Sequence, residues 1–381
     1  MINPKIDKLL FGQTLALGSD KKITCLVSAS AFNQLKKVLK KQNIEILNEY
    51  LFIKSFFISA TKQQIMFLAR HASVKFISSN TCALALMNVS KKVLKLPPKN
   101  LTGAGVGVAF IDTGITNHYD FCLGQNRIKG FVDFVAEGKY PYDDNGHGTF
   151  VAGVCAGSGA ASGGTYSGLA PCCDIYALKA LDKNGEAYSN KILSAMEWVY
   201  LNHKEKNIKV VCMSFGSEPL GINDPIMVGA EQLWNSGVIV VAAAGNSGPE
   251  YQTIKSPGVS RKIITVGGMD DNRMDDQSFS SALFEIASFS SRGPSFRSYK
   301  PDVVAPAVEI TSCSTNFGYT TLSGTSVATP MIAGIMALLC KRYPNITPDE
   351  AKRKLLSSCR PICYNKNLEG FGYPDLTKLF D

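Results

Sequence analysis

The chain contains 381 residues, of which 45% are hydrophobic and 19% charged, and its formal net charge is +9. This composition is typical of a globular protein and excludes a disordered, collagen-like or coiled-coil chain, while the length predicts two or three domains with a full core. The best candidate for a membrane span, Val327 to Cys340, is short and contains Thr329 and Pro330, so we expect no membrane partner.

The cysteines and the N-terminal residues indicate the cellular compartment in which the protein works. Eleven cysteines are scattered along the chain without paired metal-site spacing, and many free thiols favour a reducing compartment. Lys5 and Lys8 with Leu9-Leu10-Phe11 faintly resemble a signal peptide, but Asp20-Lys21-Lys22 interrupts that pattern. We therefore expect a cytoplasmic protein, with secretion as the alternative.

The charge is unevenly distributed. Residues 1–100 hold 16 of the 40 basic groups but only four of the 31 acidic groups. Such a segment is a candidate nucleic-acid arm, yet its lysines alternate with apolar residues at folded-domain periods, without interleaved aromatic and arginine residues. We expect no nucleic-acid partner, and we predict that this basic quarter docks on the slightly acidic remainder of the chain.

The first hundred residues predict a small α+β unit. Strands are expected at residues 23–27, 44–47, 51–59 and 74–79, and helices at residues 31–41 and 61–70. The order strand, helix, strand, strand, helix, strand is that of a split βαβ sandwich. Periodicity is lost after Asn80, and Leu96-Pro97-Pro98 breaks the chain further. We therefore assign residues 1–80 to a first domain and residues 81–100 to a linker.

Residues 101–381 follow a different pattern, in which short apolar strands alternate with helices. The expected strands are residues 106–111, 175–178, 209–215 and 238–243, and the expected helices are residues 149–156, 192–201 and 224–236. Strands that are apolar throughout are buried on both faces, as in a mainly parallel sheet covered by helices. This region is therefore predicted to be an α/β domain with a mainly parallel sheet sandwiched by helices.

Two polar residues of this domain stand beside apolar elements. Asp112 comes directly after a predicted strand, at the sheet edge where α/β folds place reacting groups. His147 lies between Gly146 and Gly148 at the start of a predicted helix, where little side-chain crowding lets a substrate approach its ring. Taken singly, each residue has an ordinary explanation: Asp112 as a turn cap, and His147 as a surface turn residue.

Two further residues have the character of oxyanion-binding groups. Ser326 opens an apolar helix after Gly324, so nearby backbone N–H groups are available to a developing negative charge. Asn246 follows the strand that ends in Ala242-Ala243-Ala244-Gly245, and its amide is a second candidate donor. Helix capping and a turn role, respectively, are the alternatives for the two residues taken singly.

Together these segments resemble the subtilisin-like serine proteases, the subtilase family. The resemblance rests on Asp112-Thr113-Gly114, His147-Gly148-Thr149 and Gly324-Thr325-Ser326, in that order, and covers about residues 101–381. It implies a subtilisin-like fold and a serine endopeptidase in which Ser326 is the nucleophile, His147 the general base and Asp112 its orienting partner. Asn246 and the backbone N–H of Ser326 would form the oxyanion hole. A catalytically silent binding module with the same fold is the alternative.

The resemblance also implies a substrate-binding cleft. An extended peptide would lie between Ser214-Phe215-Gly216 and the segment around Tyr188, with Ala243, Ala244 and Gly245 as a wall of the S1 pocket. Lys255 aligns near the base of that pocket, so we expect a preference for acidic or polar P1 side chains. An outward-pointing Lys255 is the alternative. General protein turnover and processing of one precursor both remain open as roles.

The first domain resembles the inhibitory propeptide of the same family. Residues 1–80 would then act as an intramolecular inhibitor, and the tail Asn80–Asn88 would pass through the cleft in product-like fashion. Self-cleavage is expected near Leu86, Met87 or Asn88. The loop 157–164 lacks the calcium-binding insertion of secreted relatives and looks more like the intracellular branch. We expect no metal or other cofactor, and leave open a weak calcium site.

Overall fold

The computed structural model describes residues 4–16, 21–80, 82–85, 100–272 and 284–381. Its helices are α1 (Lys8–Ala16), α2 (Phe32–Lys41), α3 (Lys62–Arg70), α4 (Tyr119–Cys122), α5 (His147–Ala156), α6 (Ser189–Asn202), α7 (Pro225–Asn235), α8 (Thr325–Arg342), α9 (Pro348–Ser358), α10 (Lys366–Glu369) and α11 (Leu376–Phe380). Within the described ranges, no helix is both long and apolar enough to span a membrane.

The strands form one small and one large sheet, with short accessory pairings. They are β1 (Lys22–Ala29), β2 (Glu45–Tyr50), β3 (Ser55–Thr61), β4 (Val74–Ser79), β5 (Cys82–Ala85), β6 (Gly107–Asp112), β7 (Ile128–Asp133), β8 (Asp174–Lys179), β9 (Glu186–Tyr188), β10 (Ile208–Met213), β11 (Phe215–Gly216), β12 (Ile239–Ala243), β13 (Ile264–Asp270), β14 (Glu285–Ile286), β15 (Val303–Pro306), β16 (Ile310–Cys313), β17 (Tyr319–Leu322), β18 (Cys359–Arg360) and β19 (Tyr373–Pro374).

The N-terminal unit is a four-stranded antiparallel sheet with the order β2-β3-β1-β4. Helix α2 buries Leu35 and Leu39, which are four residues apart and therefore on one face, and both belong to the core of this unit. Helix α3 begins with a capping box between Thr61 and Gln64, which satisfies N–H groups of its first turn. The order of strands and helices agrees with the predicted split βαβ unit.

Two local features of this unit differ from the prediction. Residues Leu51–Ile53 form a 3₁₀ turn, and Lys54 follows at φ 50°, so that the strand begins only at Ser55. Helix α1 was not expected. It buries Leu10, and Asp7 caps it by accepting the N–H of Leu10 at 2.9 Å. The apolar run that faintly resembles a signal peptide is therefore a helix, and it contacts β4.

The body is built on one large sheet with the order β14-β13-β12-β10-β6-β8-β7, and β15 also pairs with β13. All of these pairings are parallel except that of β13 with β14. Strands β6 and β12 are buried at every position. Helix α8 packs on β10, β12 and β13 and against α5, while α6 and α7 form a second packed pair. The predicted fold class is confirmed.

Apolar side chains join the N-terminal unit to the body. Tyr50, Phe52 and Ile53 belong to the same hydrophobic core as the large sheet. The ring of Phe52 lies 5.7 Å from that of Tyr200 on α6, and the Tyr50 hydroxyl donates to the carbonyl of Asn190 at 2.9 Å. The ion pairs found within the described part of the unit are internal to it: Lys22 with Glu45 and Lys36 with Glu49. The described contact is therefore mainly apolar, and no ion pair joins described residues of the two units, so the predicted attraction of opposite charges stays a prediction.

A buried ion cluster ties the C-terminal part of the body to the sheet. Asp302 accepts hydrogen bonds from Lys300 at 2.6 Å and from the backbone N–H of Thr265 at 2.8 Å, and its other oxygen pairs with Lys352 at 2.8 Å. Burial lowers the pKa of Lys300 to about 7, although the charge of Asp302 acts in the opposite direction. The carboxylate of Asp302 therefore compensates two ammonium groups at once.

Candidate active site

Asp112 and His147 are in direct contact. Asp112 is the last residue of β6 and His147 is the first residue of α5, and both side chains are almost completely buried. His147 Nδ1 donates to Asp112 Oδ1 at 2.7 Å, and the same oxygen accepts the N–H of Thr113 at 2.7 Å. In the neutral imidazole, a carboxylate that accepts from Nδ1–H selects the tautomer in which Nε2 carries no proton. The ring is therefore oriented so that Nε2 can act as a base.

Ser326 is the second residue of α8. Its Oγ is buried and has no hydrogen-bond partner among the described residues. Buried hydroxyls are nearly always paired, so an unpaired one at a helix N-terminus indicates a group kept available for another molecule. The first N–H groups of a helix lack partners within that helix. In α8 the N–H of Thr325 donates to Asn246 Oδ1 and that of Val327 to the Gly324 carbonyl, which leaves the N–H of Ser326 available to bind an anion.

Thr325 fixes the side-chain amide of Asn246. The backbone N–H and the hydroxyl of Thr325 both donate to Asn246 Oδ1, each at 3.0 Å. Because the oxygen of the amide is occupied, its NH₂ group points away from Thr325. The Thr325 hydroxyl also accepts the N–H of Gly245 at 3.2 Å. Asn246 is thus held by its side-chain oxygen next to the start of α8, with its NH₂ group left as a donor.

Sheet topology explains why these residues share one edge. Strands β12, β10 and β6 are adjacent and parallel, so their carboxyl ends lie at the same side of the sheet. Asp112 ends β6, Ser214 directly follows β10, and Asn246 comes three residues after β12. The contact of Thr325 with Asn246 adds the start of α8 to this edge.

Asp143 links the segments that carry the acid and the base. One of its oxygens accepts the Thr113 hydroxyl at 2.8 Å and the N–H of Gly146 at 2.8 Å. The other accepts the N–H and the hydroxyl of Thr149 at 2.8 and 2.7 Å. Thr113 in turn accepts the N–H of Gly148 at 2.8 Å. The end of β6 and the first turn of α5 are therefore joined by one partly buried hydrogen-bond network.

The cleft is occupied by the chain itself. Strand β5 lies antiparallel between β9 and β11, with Leu84 paired with both Glu186 and Gly216 and Ala85 paired with Phe215. These are the two segments expected to bind an extended substrate. Tyr188, at the end of β9, is largely exposed, whereas Phe215 is buried. A peptide in this position is held by backbone pairing and therefore tolerates many sequences.

The wall of the expected S1 pocket is formed by small residues. Ala243 and Ala244 are buried, and a Cβ on Gly245 would lie 2.6 Å from Lys255 Cγ, so this position accommodates only glycine. The Lys255 ammonium forms an ion pair with Glu218. Lys255 is 19% exposed and Glu218 77%. The lysine stem therefore lies against the wall at Gly245, while its charge is neutralised at the surface.

One cluster among the described residues has metal-ligand chemistry: His118, Asp120 and Cys313, all buried. Its atoms are already engaged. The Asp120 carboxylate accepts the N–H groups of Gly159 and Ala161, each at 3.0 Å, and also the hydroxyl of Tyr319 and the thiol of Cys313. His118 Nε2 lies 2.9 Å from the carbonyl of Gly318, and Nδ1 accepts the Asp120 N–H at 3.1 Å. The cluster is therefore a hydrogen-bonded network rather than an open coordination site.

Sequence reasoning missed the roles of Thr325 and Asp143. Thr325 lies inside a recognised motif and Asp143 lies four residues before another, but nothing in those motifs says which side chain each residue contacts. Asn246 and Thr325 are 79 positions apart, and Thr113 and Asp143 are 30 positions apart. Only their short distance in sequence from Ser326 and His147 could have indicated a function.

Comparison with known proteins shows the family to which the chain belongs. The model of the Subtilase family matches residues 103–373, and the chain therefore belongs to that family of subtilisin-like serine proteases. It is 44% identical over 280 residues to "Serine protease AprX" of Bacillus subtilis (strain 168), which covers 68% of this chain and 62% of AprX. The alignment thus spans less than two thirds of that relative. A "Thermostable alkaline protease" of Halalkalibacterium halodurans is 29% identical over 364 residues, covering 93% of this chain and 91% of the relative.

Solved structures show the same fold. Fervidolysin from Fervidobacterium pennivorans superposes with a TM-score of 0.75 at 18% identity, covering 98% of this chain and 62% of its own. Sphericase gives a TM-score of 0.63 at 27% identity, covering 75% of this chain and 94% of its own. The fervidolysin match covers nearly all of the chain, so the likeness in fold includes the N-terminal unit as well as the body.

Proposed function

We propose that the protein is a serine endopeptidase made as a self-inhibited zymogen that processes itself. The observation that carries this proposal is the buried Asp112–His147 hydrogen bond, at 2.7 Å, at the same sheet edge as an oriented Asn246 next to the unpaired hydroxyl of Ser326. Membership of the subtilase family supports it. Fold alone would not, because one fold hosts many functions.

The proposed chemistry is acyl transfer. Ser326 Oγ attacks the carbonyl carbon of the scissile bond while His147 Nε2 takes its proton, and Asp112 stabilises the resulting imidazolium. The oxyanion is held by the amide of Asn246 and the backbone N–H of Ser326. As the C–N bond breaks, His147 gives its proton to the leaving amine, and an acyl-enzyme remains. Water then adds by the same route and releases the acid and the free Ser326.

Self-inhibition is supported by strand β5. It fills the space between β9 and β11 where a substrate would lie, and it follows the N-terminal unit directly. Asn80 also accepts the backbone N–H of Asn190 at 3.1 Å, in the first turn of α6. The cleavage expected near Leu86, Met87 or Asn88 falls outside the described residues, immediately after the last paired residue. Cleavage there would leave β5 as the product-side peptide.

Lys255 supports a preference for acidic or polar P1 residues. Its stem lies against the pocket wall at Gly245, and its ammonium is paired with the exposed carboxylate of Glu218. An acidic P1 side chain would replace Glu218 as the partner of this ammonium. Because Glu218 is solvated and the pocket is partly desolvated, the exchange favours the substrate carboxylate.

We further propose that catalysis needs no metal and that the protein works in the cytoplasm. His147, not a metal ion, would activate the nucleophile, and the ligand atoms of the His118 cluster already have hydrogen-bond partners. The ten cysteines whose side chains are described are free thiols, which fits a reducing compartment. Activity that survives chelation by EDTA is the expected result, and a loss restored by calcium would overturn the metal-free proposal.

The proposal is tested by intact mass of the freshly purified chain. Wild type and Ser326→Ala are compared with and without a fluorophosphonate probe, which labels only an activated serine. We expect wild type to lose its first 80 to 90 residues and to take the probe, while Ser326→Ala stays whole and unlabelled. If wild type remains unlabelled even after limited trypsin treatment removes the N-terminal unit, the silent binding module is the better description.

A further inference from the structure

Lys179 is a charged residue in the most buried part of the body. It is the last residue of β8, and its exposed fraction is 0%. Lysine is almost never buried completely unless it is paired, because removing an ammonium from water is costly. In the parallel register, Lys179 lies opposite Asp112 on β6 and opposite Asp133 on β7. The position is therefore central to the edge that carries the proposed catalytic residues.

The ammonium group contacts both segments of the Asp–His pair. It donates to the carbonyl of Thr113, the residue after Asp112, at 2.6 Å. It also donates at 2.6 Å to the carboxylate of Asp144, three residues before His147. A third hydrogen bond goes to the carbonyl of Leu181 at 3.2 Å, so all three ammonium protons are used. The ammonium thus ties the end of β6 to the loop in front of α5.

Titratable groups face this ammonium from each neighbouring element. The Tyr142 ring lies 4.9 Å from the ammonium, and its hydroxyl donates to Asp133 at 2.7 Å. Burial and the hydrogen bond to Asp133 raise the pKa of Tyr142, so the phenol stays neutral. Strand β10 is separated from β8 by β6, and its Cys212 thiol, which interacts with Asp112, is also neutral because burial raises its pKa. Asp143 is saturated by N–H and hydroxyl donors. The charged groups near the Asp112–His147 pair are therefore the Lys179 ammonium and the carboxylates around it.

We propose that Lys179 is a positioning residue of this site: its ammonium aligns the segments of Asp112 and His147 and sets the pH at which His147 loses its proton. The inference rests on the proposed protease function, since His147 matters here as the base. A fixed positive charge near the Asp–His pair disfavours a second positive charge on the imidazole. The histidine then stays neutral, and able to act as a base, at lower pH than it would beside carboxylates alone.

The test compares the pH profiles of kcat/KM for wild type, Lys179→Met, Asp144→Asn and the double variant. Losing the ammonium should move the acid limb of the profile to higher pH by roughly one to two pH units, as expected for one charge about 6 to 10 Å away at an effective dielectric near 20. Losing the Asp144 carboxylate leaves the ammonium unpaired and should move the limb downward. The double variant should lie close to wild type. Lys183→Met, which removes an exposed ammonium from the following turn, is the matched control and should not shift.

A second readout keeps this test independent of activity. The chain has only four histidines, so the titration of His147 can be followed by NMR in the Ser326→Ala background. Opposite shifts of His147 in the two single variants support the role of Lys179 even if wild type proves inactive, in which case only the protease proposal fails. A reduced kcat without any shift of the acid limb of the pH profile or of the His147 titration would show that Lys179 only stabilises the structure. That result would overturn the inference. If Lys179→Met does not fold, Asp144→Asn decides alone, because the Asp144 side chain is 42% exposed.

Discussion

Replacing Thr325 with Val removes one of the two hydrogen bonds that orient the amide of Asn246. The hydroxyl contact at 3.0 Å is lost, while the backbone contact at 3.0 Å remains. Valine has nearly the same shape as threonine, so packing at this buried position is preserved. The substitution therefore tests whether Thr325 acts on the reaction through Asn246.

The expected magnitudes follow from these contacts. A neutral hydrogen bond is worth about 1 kcal/mol net, so Thr325→Val should lower kcat about fivefold. Asn246→Ala removes the donor itself and should lower kcat by about 10² to 10³. The N–H of Gly245 also loses its acceptor in Thr325→Val, which should lower the free energy of unfolding by about 1 to 3 kcal/mol.

The assay is hydrolysis of a fluorogenic peptide by the mature enzyme, with active sites counted by fluorophosphonate titration. Thr325→Val should lower kcat with little change in KM, and it should add nothing in the Asn246→Ala background. Thr329→Val is the matched control, since that hydroxyl bonds to the backbone of its own helix at 2.6 Å rather than to Asn246. An equal loss in both backgrounds would refute the reasoning, because Thr325 would then act independently of the amide.

Three further outcomes are expected. Lys255→Ala should lower cleavage after acidic P1 residues about tenfold relative to apolar ones in a P1-varied peptide library, and Glu218→Gln should raise it; an unchanged profile would remove Lys255 from the pocket. Burial raises the pKa of Glu197 above its ordinary value, although a hydrogen bond from the backbone of Leu51 acts in the opposite direction. Docking of the N-terminal unit therefore favours the neutral acid and weakens as pH rises through that carboxyl's range. Glu197→Gln should therefore strengthen inhibition of the body by the separately added N-terminal unit at pH 8 and make that inhibition less dependent on pH. Weaker inhibition of the variant would contradict the expected direction. Asp302→Asn should lower the free energy of unfolding in urea by about 3 to 5 kcal/mol, because the buried ammonium of Lys300 and the half-buried one of Lys352 lose their carboxylate. The exposed Glu250→Gln should change it by less than about 0.5 kcal/mol.

The fold class was predictable because it depends on short-range patterns. Strands that are apolar throughout, alternating with helices, indicate a covered parallel sheet whatever the rest of the chain does. Helix α1 escaped this reasoning because its sequence has no distinct apolar face, and only its contact with β4 explains the burial of Leu10. Likewise the 3₁₀ turn at Leu51–Ile53 lies in an apolar stretch in which Phe52 and Ile53 pack against the body instead of continuing the strand.

For the site, the sequence by itself determined the residue types and their order along the chain: an acid after a strand, a histidine and a serine at two helix starts, and an asparagine after another strand. Tertiary structure alone decided which groups touch them. Lys179 reaches Thr113 across 66 positions and Thr325 reaches Asn246 across 79. Such contacts arise because parallel strands bring their carboxyl ends to one edge, where a buried charge or amide must find a partner in whatever segment lies nearest. A local motif specifies the strand or helix that carries a residue, but the sheet order specifies its neighbours.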